Sequence, residues 1–192
     1  MNKVLLRAGA GFAMASMVYL IYMIIVKNIP LNLASFGLWL LIDVAIVVAL
    51  LRARKVGDKS LPWLMIVFTV GTGVIVLLSA YNLSVGKSTS HWGTMETATV
   101  VAVVLAMVVW YKTSDKWGLI MSTNAMLVAT IPTWADALRN PATQDIWFWS
   151  LSCIGCFLTA IGSPKTLVDR YMPLAGTASN VLVIILAVRQ FF

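Results

Sequence analysis

Asp43 sits in the middle of an apolar stretch that runs from Ala34 to Leu51. A lone charge at such a depth in hydrocarbon costs about 3 kcal/mol unless it faces a wet cavity or carries a proton. Trp39 lies four residues earlier, one helical turn away on the same face. An indole beside a carboxyl group suits a sugar, a nucleoside or an amine, because the ring stacks and the carboxyl accepts hydrogen bonds. The other reading is a structural tie, with Asp43 bonded to a Ser, Thr or Asn of a neighbouring helix. Asn124 and Asn180 are also placed in apolar surroundings. Their amides both donate and accept, and they carry the same two readings.

Pro132 acts on the backbone: it has no N–H, so the carbonyl of Val128 loses its usual partner and the helix tends to bend. Asp136, one turn further on, reads as a gate contact or an interfacial residue. Gly37, Gly71 and Gly73 would permit close helix contact. Other chemistries drop out. Cys153-Ile154-Gly155-Cys156 has the C-x-x-C spacing of thiol redox enzymes, but the chain has only these two cysteines and nothing to relay electrons. His91 is the single histidine and lies in a polar segment, so no haem pair or histidine-containing catalytic dyad can form inside a membrane. The last apolar stretch lacks the lysine that retinal needs. Glu96 follows Thr94 as a carboxylate favoured in the first turn of a helix. No glycine-rich phosphate loop is present. The expectation is a protein that is not an enzyme, with no catalytic residue, cofactor or metal site.

The elements that carry these residues follow from composition. Of 192 residues, 60% are hydrophobic and 11% charged, against roughly 25% charged in a soluble domain, and the mean hydropathy is +0.91. Apolar stretches run near Ala8–Val26, Ala34–Leu51, Leu61–Leu78, Thr94–Tyr111, Trp117–Leu138, Ile146–Ile161 and Tyr171–Val188. Each is close to the roughly 20 residues a spanning helix needs, and none alternates as a barrel strand would. The first resembles a signal peptide in its basic start at Lys3 and Arg7, but it has no small-residue cleavage pattern, so it reads as a retained helix. The expected class is an all-α membrane protein of seven transmembrane helices.

Lys and Arg collect in cytoplasmic loops. With alternate loops on one side, Lys3, Arg7, Arg52, Arg54, Lys55, Lys59, Lys112, Lys116, Lys165 and Arg170 face one compartment, and Lys27, Lys87, Arg139 and Arg189 the other. A cytoplasmic N-terminus and an external C-terminus follow. The formal charge of +7 is then topology and contact with anionic lipid, with no basic stripe for nucleic acid. A chain without a targeting extension suits a bacterial inner membrane.

The chain also repeats itself. Pro30 and Pro141 are separated by the same interval as Pro62 and Pro173, and the latter pair ends a D-[KR]-x-x-P pattern at Asp58-Lys59 and at Asp169-Arg170. With a one-residue slip Trp39 matches Trp149. Helices one to three (residues 1–81) then correspond to helices five to seven (117–192), with a linker helix and its loops between (82–116). The result is a 3+1+3 pair of three-helix bundles related by an axis along the membrane normal.

This arrangement, together with Ile131-Pro132-Thr133-Trp134 running through Asn140-Pro141 to Trp147-Phe148-Trp149, resembles the SWEET, PQ-loop and PnuC transporter superfamily, which also includes the KDEL receptors. The chain has no Pro-Gln dipeptide, and Tyr22 stands where the first repeat would carry the counterpart of Pro132. The resemblance implies a carrier that holds a small polar solute between the bundles by alternating access, with Trp39, Asp43, Asn124, Trp149 and Asn180 at the site and Pro132 and Asp136 near a gate. Asn180 has the place of a sugar-contacting Asn in SWEETs; the third helix offers Thr69 and Thr72 instead of a partner Asn. A change in protonation of Asp43 would couple transport to protons. A ligand-binding receptor on the same fold is the alternative that the resemblance leaves open.

Overall fold

Apolar side chains leave a backbone with only itself to satisfy its N–H and C=O groups, and the α-helix does this within one segment. The computed structural model describes residues 1–29, 31–52, 63–87, 93–112 and 115–192. Among these, seven α-helices form: α1 (Lys3–Lys27), α2 (Leu33–Arg52), α3 (Trp63–Ser84), α4 (Thr94–Tyr111), α5 (Asp115–Arg139), α6 (Ile146–Gly162) and α7 (Leu167–Val188). Each coincides with one of the apolar stretches, and α1, α3 and α7 extend several residues beyond theirs. Pro30, Asp58, Lys59, Pro62 and His91 lie outside the described residues.

Helices α1 and α3 and the segment Asp169–Phe191 are long and apolar enough to cross a membrane; Leu33–Val48, Thr94–Val109 and Ile146–Gly162 are apolar but shorter. The outer faces are apolar too. Val18 and Ile25 on α1, Val70 and Leu77 on α3, Val101 and Leu105 on α4 and Ile185 on α7 are all exposed. A surface so rich in exposed aliphatic groups fits a protein surrounded by lipid.

Local rules set the helix ends. The Asn2 side chain accepts from the N–H groups of Val4 and Leu5 to start α1, and Asn28 ends it in the left-handed conformation at φ 49°. Asp145 starts α6 by accepting from Phe148 N, and Thr166 starts α7 by accepting from Asp169 N. The second D-R-x-x-P motif therefore builds a helix start: Asp169 closes the first turn, Arg170 donates to the carbonyls of Pro164 and Ser163 at the end of α6, and Pro173 follows within α7.

Packing joins six helices into a closed ring. α1 packs on α3, α3 on α2, α2 on α5, α5 on α7, α7 on α6, and α6 returns to α1, while α4 lies outside the ring, mainly against α5. One apolar cluster, with Ile24, Ile75 and Val183 fully buried, fills the α1, α3, α6 and α7 side. A second, with Ile42, Val103 and Ala129, lies between α2, α4 and α5.

The α1·α6 and α2·α5 contacts, a first and a second seam of the ring, differ. Along α1 and α6 the backbones nearly touch: a Cβ added at Gly155 would lie 2.9 Å from both Ala13 N and Gly9 O, and one at Gly162 would lie 3.0 Å from Leu5 Cβ. The Asn2 N–H also donates to the Gly162 carbonyl at 2.8 Å. Of the glycines expected to permit close contact, Gly71 does so against Met17, Gly73 makes an ordinary contact with Leu40, and Gly37 faces open space.

Candidate functional site

A cavity of about 830 Å³ opens at the end of the ring where α1 and α5 finish and α2, α4 and α6 begin. Its deeper wall is aromatic. Phe148 and Trp149 stand edge to face at 4.8 Å, and Phe36 meets Trp39 at 4.7 Å. Trp39 and Trp149 meet nearly perpendicular at 6.0 Å across the ring. Gln144 fixes the Trp149 ring by accepting from its Nε1 at 3.2 Å.

The outer wall is polar and rises from helix ends. Asn32 Oδ1 accepts from Ser35 N at 3.0 Å and so caps α2, while its Nδ2 donates to Asp136 Oδ2 at 3.1 Å and to Glu96 Oε1 at 3.5 Å. Glu96 Oε2 accepts from Gly93 N at 2.9 Å, the helix-start role expected of it, and its side chain also lines the cavity. Asp145 accepts from Phe148 N with one oxygen and from the Tyr19 hydroxyl at 3.0 Å with the other. Arg139 completes this wall. Among the described residues none of the three carboxylates is ion-paired.

Of the expected site residues, Trp149 and Asp136 line this cavity. Asp43 lies one turn beyond Trp39 along α2, about 6 Å deeper by helical rise, on the far side of the aromatic contact. It is 5% exposed and has no hydrogen-bond or ion-pair partner among the described residues. Asn180 is buried and donates to Ser152 Oγ at 3.2 Å, with Cys156 Sγ at 4.0 Å. Asn124 accepts from the Tyr171 hydroxyl at 2.6 Å and ties α5 to α7. Pro132 is fully buried in α5. Cys153 and Cys156 are free thiols. Among the described residues no group of His, Cys, Asp or Glu is placed to hold a metal ion.

Among the described residues four buried polar side-chain groups have no partner: Ser35 Oγ and Trp39 Nε1 on α2, and Thr133 Oγ1 and Trp134 Nε1 on α5. All four belong to the two helices that form the second seam. A buried, unmade hydrogen bond costs about 1–3 kcal/mol, so this seam concentrates polar groups that the present packing leaves unused. Asn32, Glu96, Thr133, Gln144 and Asp145 are cavity residues that sequence reasoning did not select as site residues. Four of them sit at helix ends, where capping already accounts for a polar residue.

No protein-family model matches the chain, and neither a curated protein nor a solved structure is significantly similar to it.

Proposed function

We propose that the chain is a seven-span membrane carrier of a small polar solute, built as two three-helix bundles and a linker helix in the manner of SWEET and PQ-loop transporters. The observation that carries this reading is the order of the ring. Exchanging α1, α2 and α3 for α5, α6 and α7 maps each packed pair onto another: α1·α3 onto α5·α7, α2·α3 onto α6·α7, and the seam α1·α6 onto α5·α2. Two like bundles facing each other across two seams can rock about a solute held between them.

In this reading the cavity is the open side, external by the Lys and Arg count. The Trp39–Trp149 contact is the inner barrier, and Asp43 waits behind it. The unused polar groups of α2 and α5 mark the seam that rearranges, whereas the glycine-packed α1·α6 seam acts as the pivot. Asn124 and Asn180, already bonded to Tyr171 and Ser152, serve as ties between helices beside the path.

The test is solute counterflow into liposomes holding the purified protein, preceded by a thermal-shift panel of sugars, nucleosides, vitamins, amino acids and amines. A ligand that binds only the folded state adds about 2.7 kcal/mol at a hundredfold excess over its dissociation constant. We expect one solute class to stabilise the protein and to exchange across the bilayer, and Asp43→Asn and Trp149→Ala to lose exchange while retaining the fold. A solute that binds without crossing the bilayer would replace the carrier with a receptor on the same fold. If Asp43→Asn kept the wild-type rate and pH profile, proton coupling through that residue would be excluded.

A further inference from the structure

We infer that the cavity binds an organic ammonium ion bearing N–H groups, which Glu96 and Asp136 hold above an aromatic floor of Phe36, Phe148 and Trp149. This deepens the carrier reading and takes from it the assignment of the cavity as the solute site.

The distribution of charge is the first observation. The chain has 14 Lys and Arg against 7 Asp and Glu, yet the cavity wall reverses that excess: three of the seven acids, Glu96, Asp136 and Asp145, line it together with a single base, Arg139. With no carboxylate ion-paired among the described residues, the wall carries a net charge of −2. Such a field attracts cations and repels carboxylates and phosphates.

The second observation is independent of charge. Thr133 belongs to the cavity wall, is 4% exposed, and has a hydroxyl with no partner. A buried hydroxyl left unsatisfied in a cavity wall marks a place where a polar group of a ligand belongs.

The geometry of the acids then selects among cations. Asn32 Nδ2 donates to both Glu96 and Asp136, so the two carboxylates already converge on an N–H-bearing nitrogen. An ammonium group presents the same donors with a full charge, and charge-assisted hydrogen bonds are about twice as strong as neutral ones. A metal ion is disfavoured, because no cluster of three suitable ligands is present among the described residues. The aromatic floor adds attraction for the cation and contact for an apolar body attached to it.

Three compounds that share a ring and differ in the head group separate the possibilities: phenethylamine, 2-phenylethanol and 3-phenylpropanoate, titrated at neutral pH into the full chain in lipid nanodiscs, with tryptophan fluorescence and melting temperature as readouts. Phenethylamine should bind about tenfold more tightly than the alcohol, as expected for charge-assisted bonds, and the carboxylate most weakly. Asp136→Asn should remove about that tenfold advantage, with Glu96→Gln as the second variant if the first does not fold. Thr133→Val should weaken the amine by a smaller factor, and Asp169→Asn, at the opposite end of the bundle, should leave it unchanged. Equal or better binding of the alcohol, displacement of the amine by sodium ion at equal concentration, or failure of the amine in a protein that binds a sugar or nucleoside would overturn the inference and leave the carrier standing. Amine binding with no exchange into liposomes would uphold the site and remove the carrier reading, and absence of binding by every solute would overturn both.

Discussion

Replacing Gly155 by alanine adds one methyl group to the α1·α6 seam. The new Cβ would lie 2.9 Å from Ala13 N and from Gly9 O, about 0.6 Å inside an ordinary contact of roughly 3.5 Å. Both neighbours are backbone atoms of a regular helix, so neither can turn away as a side chain would. The helices must separate by several tenths of an ångström. A gap of that size forfeits about a quarter of the dispersion energy of each atom pair along the contact, and overpacking of this kind costs about 1–3 kcal/mol. Alanine regains about 1 kcal/mol in helix propensity, leaving a net loss of up to about 2 kcal/mol. For a chain of this size that lowers the melting temperature by up to about 8 °C. Gly11→Ala on α1 is the matched control, since a Cβ there meets nothing within 4 Å, and it should melt at or slightly above the wild type. Melting of the detergent-purified proteins, followed by near-ultraviolet circular dichroism, reads both. Should Gly155→Ala melt no lower than Gly11→Ala, the close approach of α1 and α6, and with it the pivot, would be refuted.

Three further outcomes follow from the same contacts. Tyr171→Phe removes the donor to Asn124 and leaves that amide oxygen unpaired, which should destabilise by about 1 kcal/mol without changing solute affinity; a thermal melt with and without ligand separates the two effects. Ser152→Ala leaves Asn180 without its hydroxyl partner and should cost about 0.6–1.7 kcal/mol, measured by denaturant titration. The proposed seven spans would put the termini on opposite faces, so on that proposal reporter fusions after Phe192 should be active outside the cell and fusions ahead of Met1 inside; both on one face would exclude an odd number of crossings.

The helices were legible because bilayer-length apolar runs have few alternatives: all seven stretches read from the sequence hold an α-helix among the described residues. Trp39 and Trp149 stood out in the sequence as a matched pair of site candidates, but that their rings meet depends on how α2 and α6 pack, which apolar patterning does not specify. The polar mid-helix residues were legible as exceptions to their surroundings, but not as to role. An amide in an apolar helix looks the same whether it awaits a solute or holds Ser152 or Tyr171, and the difference lies in a neighbour from another helix. The polar wall was hidden for a different reason. Asn32, Glu96 and Asp145 each satisfy backbone N–H groups at a helix start, and that local role fully explains their residue types. Only the ring, which brings three helix starts to one end, gives them a shared cavity.

The closure of the ring also has a consequence for how the chain is made. Helix α1 finds its glycine-lined partner in α6, five helices later. While the ribosome is still adding α2 to α5, the face of α1 that carries Gly9 and Ala13 has no native neighbour, and contacts of such long sequence separation form slowly. A second nascent copy could offer its own α6 to that vacant edge, giving a swapped pair joined by the very seam that each ring uses to close. Correct assembly therefore depends on timing as well as on affinity: α6 must reach the waiting edge of its own chain before a neighbour does.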